Sequence, residues 1–414
     1  MIPMPHGFSA GLLFVLHATT ALFASDWPQY RGQHYDGISR EKDAVGTWPD
    51  GQPRREWKAS VGVGFSGVTV ANGRVYTAGS DGLKKGGKDT VYCLDAATGK
   101  QAWAFSYPQD LDPKYYEGGP GATPTVAGGR VFMVGRHGLV HALDAASGRV
   151  IWARNIAKEL GLAVPDWGFN GSAVVRDDTV YLNAGSAGIA LDKETGKERW
   201  VTGKDECGYG TPVPFEQGGR PLLAMFGAKH VLAVEPGTGR EAWRVPWKTD
   251  WNVNASDPVV AGDRMFVSSG YGTGCAVYDL STPSPRRLWA NKEIRSQMAS
   301  VVVMGRHVYG VDGQGGDKDS RLKCLDLETG ALKWTSPASE TGNLAAVGDR
   351  LIWLTGTGEL VVVQAVPDGY RELARAQVSG GKHWTAPVIA NGRLFVRNAR
   401  GDVVCLDVKG STPG

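Results

Sequence analysis

The sequence predicts an all-β protein: an eight-bladed β-propeller of four-stranded antiparallel blades, the last blade closed by a strand from the N-terminal region. Three observations carry this reading. An acidic residue is followed by Thr or Ser three residues on, Gly at the fourth and Trp at the eighth in Asp95-Thr98-Gly99-Trp103, Asp144-Ser147-Gly148-Trp152, Asp192-Thr195-Gly196-Trp200, Glu235-Thr238-Gly239-Trp243 and Asp326-Thr329-Gly330-Trp334. Upstream of each lies a β-branched run, a short turn and a second such run, as between Val68 and Gly79. The whole unit recurs at a period near 45 residues, and self-similarity at that period marks supersecondary blocks that bury their faces only against their neighbours. Four strands per unit, arrayed radially, make a propeller.

Taken in order, residues 1–24 read as a signal peptide. The apolar stretch Ala10 to Ala24 is too short and too interrupted to span a bilayer. Cleavage near Ala24 leaves 25–414 as a single domain in the periplasm or secreted. The opening WPQYRGQHYDGIS, Trp27 to Ser39, follows; Trp27, Tyr30 and Arg31 are assigned to packing over the face of the ring, with a partner surface as the alternative. Residues 54–61, RREWKASV, read like the outer strand of a blade with Trp57 in the docking position.

Eight hairpins come next. Their turn pairs are Asn72-Gly73, Gly128-Gly129, Asp177-Asp178, Gly262-Asp263, Gly305-Arg306, Gly348-Asp349 and Asn391-Gly392, with a longer turn, Glu216 to Gly219, in the fourth unit. Such residues accept positive φ cheaply, and two-residue turns match the twist of the flanking strands. In the acidic-to-Gly segment the carboxylate accepts backbone N–H groups and Gly supplies the left-handed residue, giving a second turn. The fifth unit has Ser281-Thr282-Pro283 in place of Thr-Gly; the seventh has Gln364 for the acid and Leu373 near the Trp position. The eighth stops after Val403 to Gly410 without a Trp strand. Residues 54–61 supply the missing strand and remove the free edge of an open ring.

Composition agrees. Fifty-eight Gly and 14 Trp suit tight turns and repeated large-to-small packing, and 45 Lys plus Arg against 42 Asp plus Glu leave a nearly balanced chain. Nothing in that balance calls for nucleic acid or an anionic membrane surface; membrane association is expected only through a partner. Cys93, Cys324 and Cys405 stand two residues before the acidic position, where other units hold Ala142, Ala190 and Ala233, so they are core residues. Cys207 and Cys275 are read as loop residues, free to pair or not. No Cys-x-x-Cys occurs and no His pair has metal spacing, so zinc and c-type haem have no support.

The motif Ala-x-Asp-x-x-Thr-Gly-x-x-x-Trp resembles the tryptophan-docking repeat of the pyrroloquinoline-quinone (PQQ) repeat family. That family includes quinoprotein alcohol dehydrogenases and BamB-like outer-membrane assembly scaffolds. The WPQYRG opening is similar to that of exported PQQ-like propellers of planctomycete and verrucomicrobial type, with Gln33 where Pro is usual. The resemblance implies the fold across nearly the whole mature chain. It does not by itself imply a cofactor, because the shared Trp and Gly residues hold blades together. In the dehydrogenases the quinone lies beneath a disulfide of adjacent cysteines beside Ca²⁺, and this chain has no adjacent cysteines and lacks their insertions.

A functional site is expected at the channel mouth, in the segments that precede the innermost strands. There stand Glu117, Trp167, Asn170, Glu206, Tyr209, Trp251, Asn254, Arg295, Gln297, His383 and Trp384. Carboxylates, amides and aromatic faces of this kind coordinate Ca²⁺ or stack a sugar or quinone ring; the bland alternative is that the loops plug a funnel and tie neighbouring blades. The favoured function is a non-catalytic exported module binding a protein partner or a polymer such as a polysaccharide, with no catalytic residue, metal or cofactor assigned. One alternative is a PQQ- and Ca²⁺-dependent oxidoreductase of alcohols or sugars, with Glu117, Asn170, Glu206 and Asn254 as metal ligands and Trp251 or Trp384 as the stacking floor. The other is a saccharide hydrolase or lyase using channel-mouth carboxylates.

Overall fold

The computed structural model describes residues 25–41, 45, 48 and 51–408. The signal-peptide reading of residues 1–24 and the last residues of the expected domain, 409–414, lie outside the described residues. Eight antiparallel four-stranded sheets form the ring, and one carries an added fifth strand. Blade one shows the pattern: Thr69–Ala71 innermost, then Arg74–Ser80, Lys88–Asp95 and Gln101–Pro108 outward, hydrogen-bonded in that order.

In blades one to six the second turn is built by its acid. Asp95 Oδ1 accepts from the Thr98 N–H at 3.0 Å and the Thr98 hydroxyl at 2.9 Å, and Asp192 repeats this at Thr195 at 2.9 and 2.8 Å. Gly99 closes the turn at φ 69°. Its missing side chain also makes room: a Cβ there would stand 2.6 Å from the Trp57 ring. Trp57 in turn donates Nε1–H to the Ala96 carbonyl at 3.0 Å. Other docking indoles likewise lie on the turn glycine of the next blade, Trp103 on Gly148, Trp152 on Gly196 and Trp200 on Gly239. The same residues shape the turn and staple blade to blade, which is why the motif is repeated as a unit.

Trp289 of blade five belongs to this series, lying on Gly330 and donating to the Leu327 carbonyl at 2.9 Å. The Ser-Thr-Pro turn between Asp279 and Trp289 lengthens the spacing and hides it from the eight-residue pattern. Trp243, facing that glycine-free turn, donates instead to Gln217 Oε1 at 2.8 Å.

Blade eight is Val388–Ala390, Arg393–Arg397 and Asp402–Asp407, completed by Arg54–Ser60. Trp57 pairs with Cys405, and Val61 follows by donating to the Gly401 carbonyl at 2.8 Å. Two local expectations are revised. The blade-four hairpin is a two-residue turn after all, because Val213–Gln217 and Arg220–Phe226 extend until Gln217 faces Arg220. Cys275 sits in the strand Gly274–Asp279 rather than in a loop. All five cysteines are buried free thiols.

The N-terminal segment does not lie over the face of the ring. It threads the channel, pairing with inner-strand edges that would otherwise be unpaired. Trp27 exchanges hydrogen bonds with Val70 of blade one at 2.8 and 2.9 Å, and the Pro28 carbonyl accepts from Val126 of blade two at 2.8 Å. After a turn near Tyr35 the chain returns, and Ile38–Ser39 runs parallel to the blade-seven inner strand Asn343–Val347. Asp26 ties the entry to two inner-hairpin turns, accepting from the Asn72 N–H at 3.0 Å and from Asn391 Nδ2 at 3.1 Å.

Candidate functional site

The N-terminal plug stops partway up the channel and leaves a blind cavity of about 790 Å³ at the opposite face, with Trp27, Tyr30 and Arg31 among its lining residues. The walls come from the segments before the inner strands and from the turns between the two middle strands. Phe65 stacks on Trp384 with ring centroids 5.0 Å apart and meets Tyr116 edge-on at 5.4 Å; across the opening Trp167 meets Tyr209 edge-on at 5.9 Å. Lys382 Nζ sits 4.5 Å above the Trp384 ring and binds Glu117 at 2.8 Å, fixing that indole against the wall. At the rim Tyr115 and Trp251 are 90 % and 72 % exposed.

Backbone strain collects here. Nine non-glycine residues among those described have positive φ. Asn72, Asp177 and Asn391 are hairpin-turn residues for which it is cheap. Of the others, Arg31 and Tyr35 belong to the plug, and Asp112, Trp251, Asn252 and Tyr271 to mouth loops. Trp251, at φ 61° and ψ 18°, holds an exposed indole in a conformation that costs about 1–3 kcal/mol. Tyr271 is held by Gln314, whose Oε1 accepts its N–H at 2.6 Å, and by Gln297, which donates to its hydroxyl at 3.0 Å.

The expected site residues divide. Trp167, Asn170, Tyr209, Trp251, Gln297 and Trp384 line the cavity together; the rest hold the loops that form it. Glu117 is paired with Lys382. Glu206 accepts from Asn252 Nδ2 at 3.1 Å. Asn254, fully buried, takes hydrogen bonds from the Thr249 and Ser269 hydroxyls and gives its own to the Gly227 and Ala228 carbonyls. Arg295 makes a two-pronged ion pair with Asp312 at 2.9 Å. His383 is buried with Nδ1 against the Gly381 carbonyl, and burial holds its imidazole below the usual histidine range.

The cavity also has residues outside the expected set, notably Tyr30, Phe65, Tyr116, Asp257, Gln314 and Asp317. Asp257 is 4 % exposed, and burial pushes its carboxyl up to about 6. Tyr30 and Arg31 are its phenolic and charged neighbours from the plug. Burial raises the Tyr30 phenol well above its ordinary range, beside the hydroxyl of Ser300. The Arg31 guanidinium is committed to main-chain carbonyls, at 3.1 Å to Tyr35, 2.9 Å to Asp36 and 2.7 Å to Val301. The sequence signal for Asp257 is its register: it stands two residues before an inner strand, where most other blades have Thr or Ser.

Comparison with known proteins follows the fold. The solved BamB of Moraxella catarrhalis superposes with a TM-score of 0.63 at 17 % identity, over 86 % of this chain and 97 % of that one. Quinohemoprotein alcohol dehydrogenase from Comamonas testosteroni gives 0.70 at 14 % identity, over 94 % and 81 %. A europium-containing methanol dehydrogenase gives 0.67 at 14 % identity, over 90 % of each chain. A curated relative, the serine/threonine-protein kinase AfsK of Streptomyces griseus, is 30 % identical over 143 residues, and the match spans 33 % of this chain and only 17 % of the kinase. Segments 50–200, 87–336 and 318–412 match the PQQ-like family described as outer membrane protein assembly factor BamB. With ring, docking tryptophans and these matches together, the chain belongs to the BamB family of PQQ-like β-propellers.

Proposed function

We propose that this protein is a non-catalytic binding module, exported from the cytoplasm, that takes the end of a polymer or of a partner chain into the blind mouth of its channel. The observation that carries the reading is Trp251: a strained backbone, an exposed indole and a place on the cavity wall, for which the fold itself offers no use. Tyr115 stands some three blades away around the rim, so an extended ligand meets aromatic faces on both sides of the opening. An assembly factor among the relatives agrees with a partner-binding role. Among the described residues no helix is long and apolar enough to cross a membrane.

The residues fit PQQ poorly. The quinone is a tricarboxylate, whereas the cavity presents Asp166, Asp257 and Asp317. Its cations are already engaged: Arg31 as described above, and Lys114 with the Asp166 carbonyl. Glu117, Asn170, Glu206 and Asn254, the expected Ca²⁺ ligands, are spent on separate loop contacts.

The test is binding of the full chain to parallel panels of soluble glycans and of extended peptides. Trp251→Ala and Tyr115→Ala should lower binding tenfold or more without moving the melting temperature, since neither side chain is packed. Unchanged binding in both variants overturns the mouth as the site. Stoichiometric quinone retained after dialysis from PQQ and Ca²⁺, with turnover of alcohols or aldoses, overturns the non-catalytic reading.

A further inference from the structure

A belt of hydrogen bonds runs along the channel wall from blade one to blade six, linking each of these blades to the next at the residue two before its inner strand. The Gly67 N–H donates to Thr123 Oγ1 at 2.9 Å, Thr123 to Ser172 Oγ at 2.9 Å, and Ser172 to Thr211 Oγ1 at 3.1 Å. The Thr211 N–H then donates to Asp257 Oδ1 at 2.7 Å, and Asp257 to Ser300 Oγ at 3.0 Å. Each of these five links needs one side-chain acceptor. Thr or Ser supplies it in four of these links, and a carboxylate supplies it in one.

That substitution is costly as structure alone. A buried carboxylate pays a desolvation penalty that a hydroxyl does not, and Asp257 is 4 % exposed with no ion-pair partner within 4 Å among the described residues. What the carboxylate adds is a second oxygen. Oδ1 is held by Thr211, while Oδ2 has no hydrogen-bond partner among the described residues, and Asp257 lines the floor of the cavity.

Charge narrows the ligand. The carboxylates Asp166, Asp257 and Asp317 disfavour an anion. Arg31 beside Asp257 and Lys114 at the wall offset all but one of those charges, so the lining offers a cation no strong field either. There remains a neutral ligand rich in donors, with apolar faces for Trp167, Trp251 and Trp384, in a cavity of the size that holds small ligands. Resting on the mouth as the binding site, we propose that this cavity is a carbohydrate-binding site in which Asp257 Oδ2 accepts hydroxyl groups of a neutral sugar and the wall indoles stack on its ring. Asp257 is therefore a specificity-determining residue.

The variant that tests this is Asp257→Ser, which restores the hydroxyl found at Ser172 and Ser300 and so keeps the belt. Calorimetric titration of the full chain with cellotriose, xylotriose and chitotriose is run beside a tri-lysine peptide and inorganic phosphate. The expected result is binding of at least one neutral trisaccharide and neither charged probe, weakened tenfold or more by Asp257→Ser at an unchanged melting temperature. Should Asp257→Ser melt early, Asp257→Asn, which keeps the shape and the acceptor for Thr211, carries the same expectation. Sugar binding lost in Trp251→Ala but intact in both Asp257 variants overturns the anchor and leaves the mouth as the site. Lost stability with intact affinity assigns Asp257 to holding the plug and overturns the proposal. Binding only of the peptide or phosphate, or of none of the probes, overturns the sugar class, and sugar binding indifferent to Trp251 and Asp257 alike removes the site as well.

Discussion

Trp152 lies flat on Gly196 of the following blade: a Cβ on that glycine would stand 2.7 Å from the indole, and the indole Nε1–H reaches the Lys193 carbonyl at 2.9 Å. Shape and hydrogen bond are thus satisfied by one turn. Trp152→Ala should cost roughly 3–5 kcal/mol, as large aromatic truncations do. Gly196→Ala should cost about 1–3 kcal/mol by overpacking, with strain at φ 69° in addition. In the double variant the methyl enters the space left by the indole, so the summed loss should be smaller than the two single losses. Urea denaturation of the four proteins measures this, and simple additivity would count against the stacking.

Shortened chains separate the plug from the closing strand. A chain beginning at Gly51 keeps Arg54–Ser60 and should fold as a soluble ring with a lower melting temperature and a through-channel in place of the blind cavity. A chain beginning at Gly64 leaves Asp402–Asp407 with an open edge and should aggregate or lose its cooperative melt. Equal solubility and melting of the second chain and the full one would refute ring closure.

The thiols are expected to be silent. Burial pushes Cys93 up to about 11 and Cys207, Cys275, Cys324 and Cys405 up to about 12, and only the thiolate is reactive. A thiol reagent at pH 8 should label none of them in the native protein and all five after denaturation. A fast-reacting native thiol would show that a blade interface opens readily.

Asp89 gives a pH dependence whose sign is fixed. It is fully buried beside the Ser80 and Tyr107 hydroxyls, and burial pushes it up to about 7. Between the unfolded value near 4 and about 7 the native state keeps a proton that the unfolded chain has released. The stability due to this group is therefore present at low pH and lost as pH rises through that window. His141, held down to about 4 by burial, acts in the opposite sense, so the contrast is read from a variant. Asp89→Asn should melt higher than the parent at pH 8, and the difference should shrink steadily as pH falls from about 7 toward 4. A constant difference across that range would show that Asp89 does not titrate there.

The ring was legible because its determinants are local. Asp192, Thr195 and Gly196 build one turn within five residues, and the same chemistry returns in blade after blade. The plug was not, because Trp27, Pro28 and Ile38 take their partners from blades one, two and seven, and no short-range pattern encodes that. The mouth was half legible. Position before an inner strand brought Trp167, Trp251 and Trp384 to the cavity, but equally selected Asn254 and Arg295, whose partners Ser269 and Asp312 lie on other strands and draw them away. Asp257 stood in plain view of a blade-to-blade alignment; its meaning required the Ser and Thr of the other links to be seen as hydrogen-bond acceptors.

Arg54–Ser60 and Asp402–Asp407 are partners at almost the greatest sequence separation this chain allows. During synthesis the first of them emerges some 350 residues before its mate, so blade eight cannot form until Asp402–Asp407 has been made. Long-range pairing of this sort delays folding, and a prematurely terminated product has no ring to close. Until that last strand is made the ring stays open, and every earlier intermediate carries an unpaired edge at blade eight.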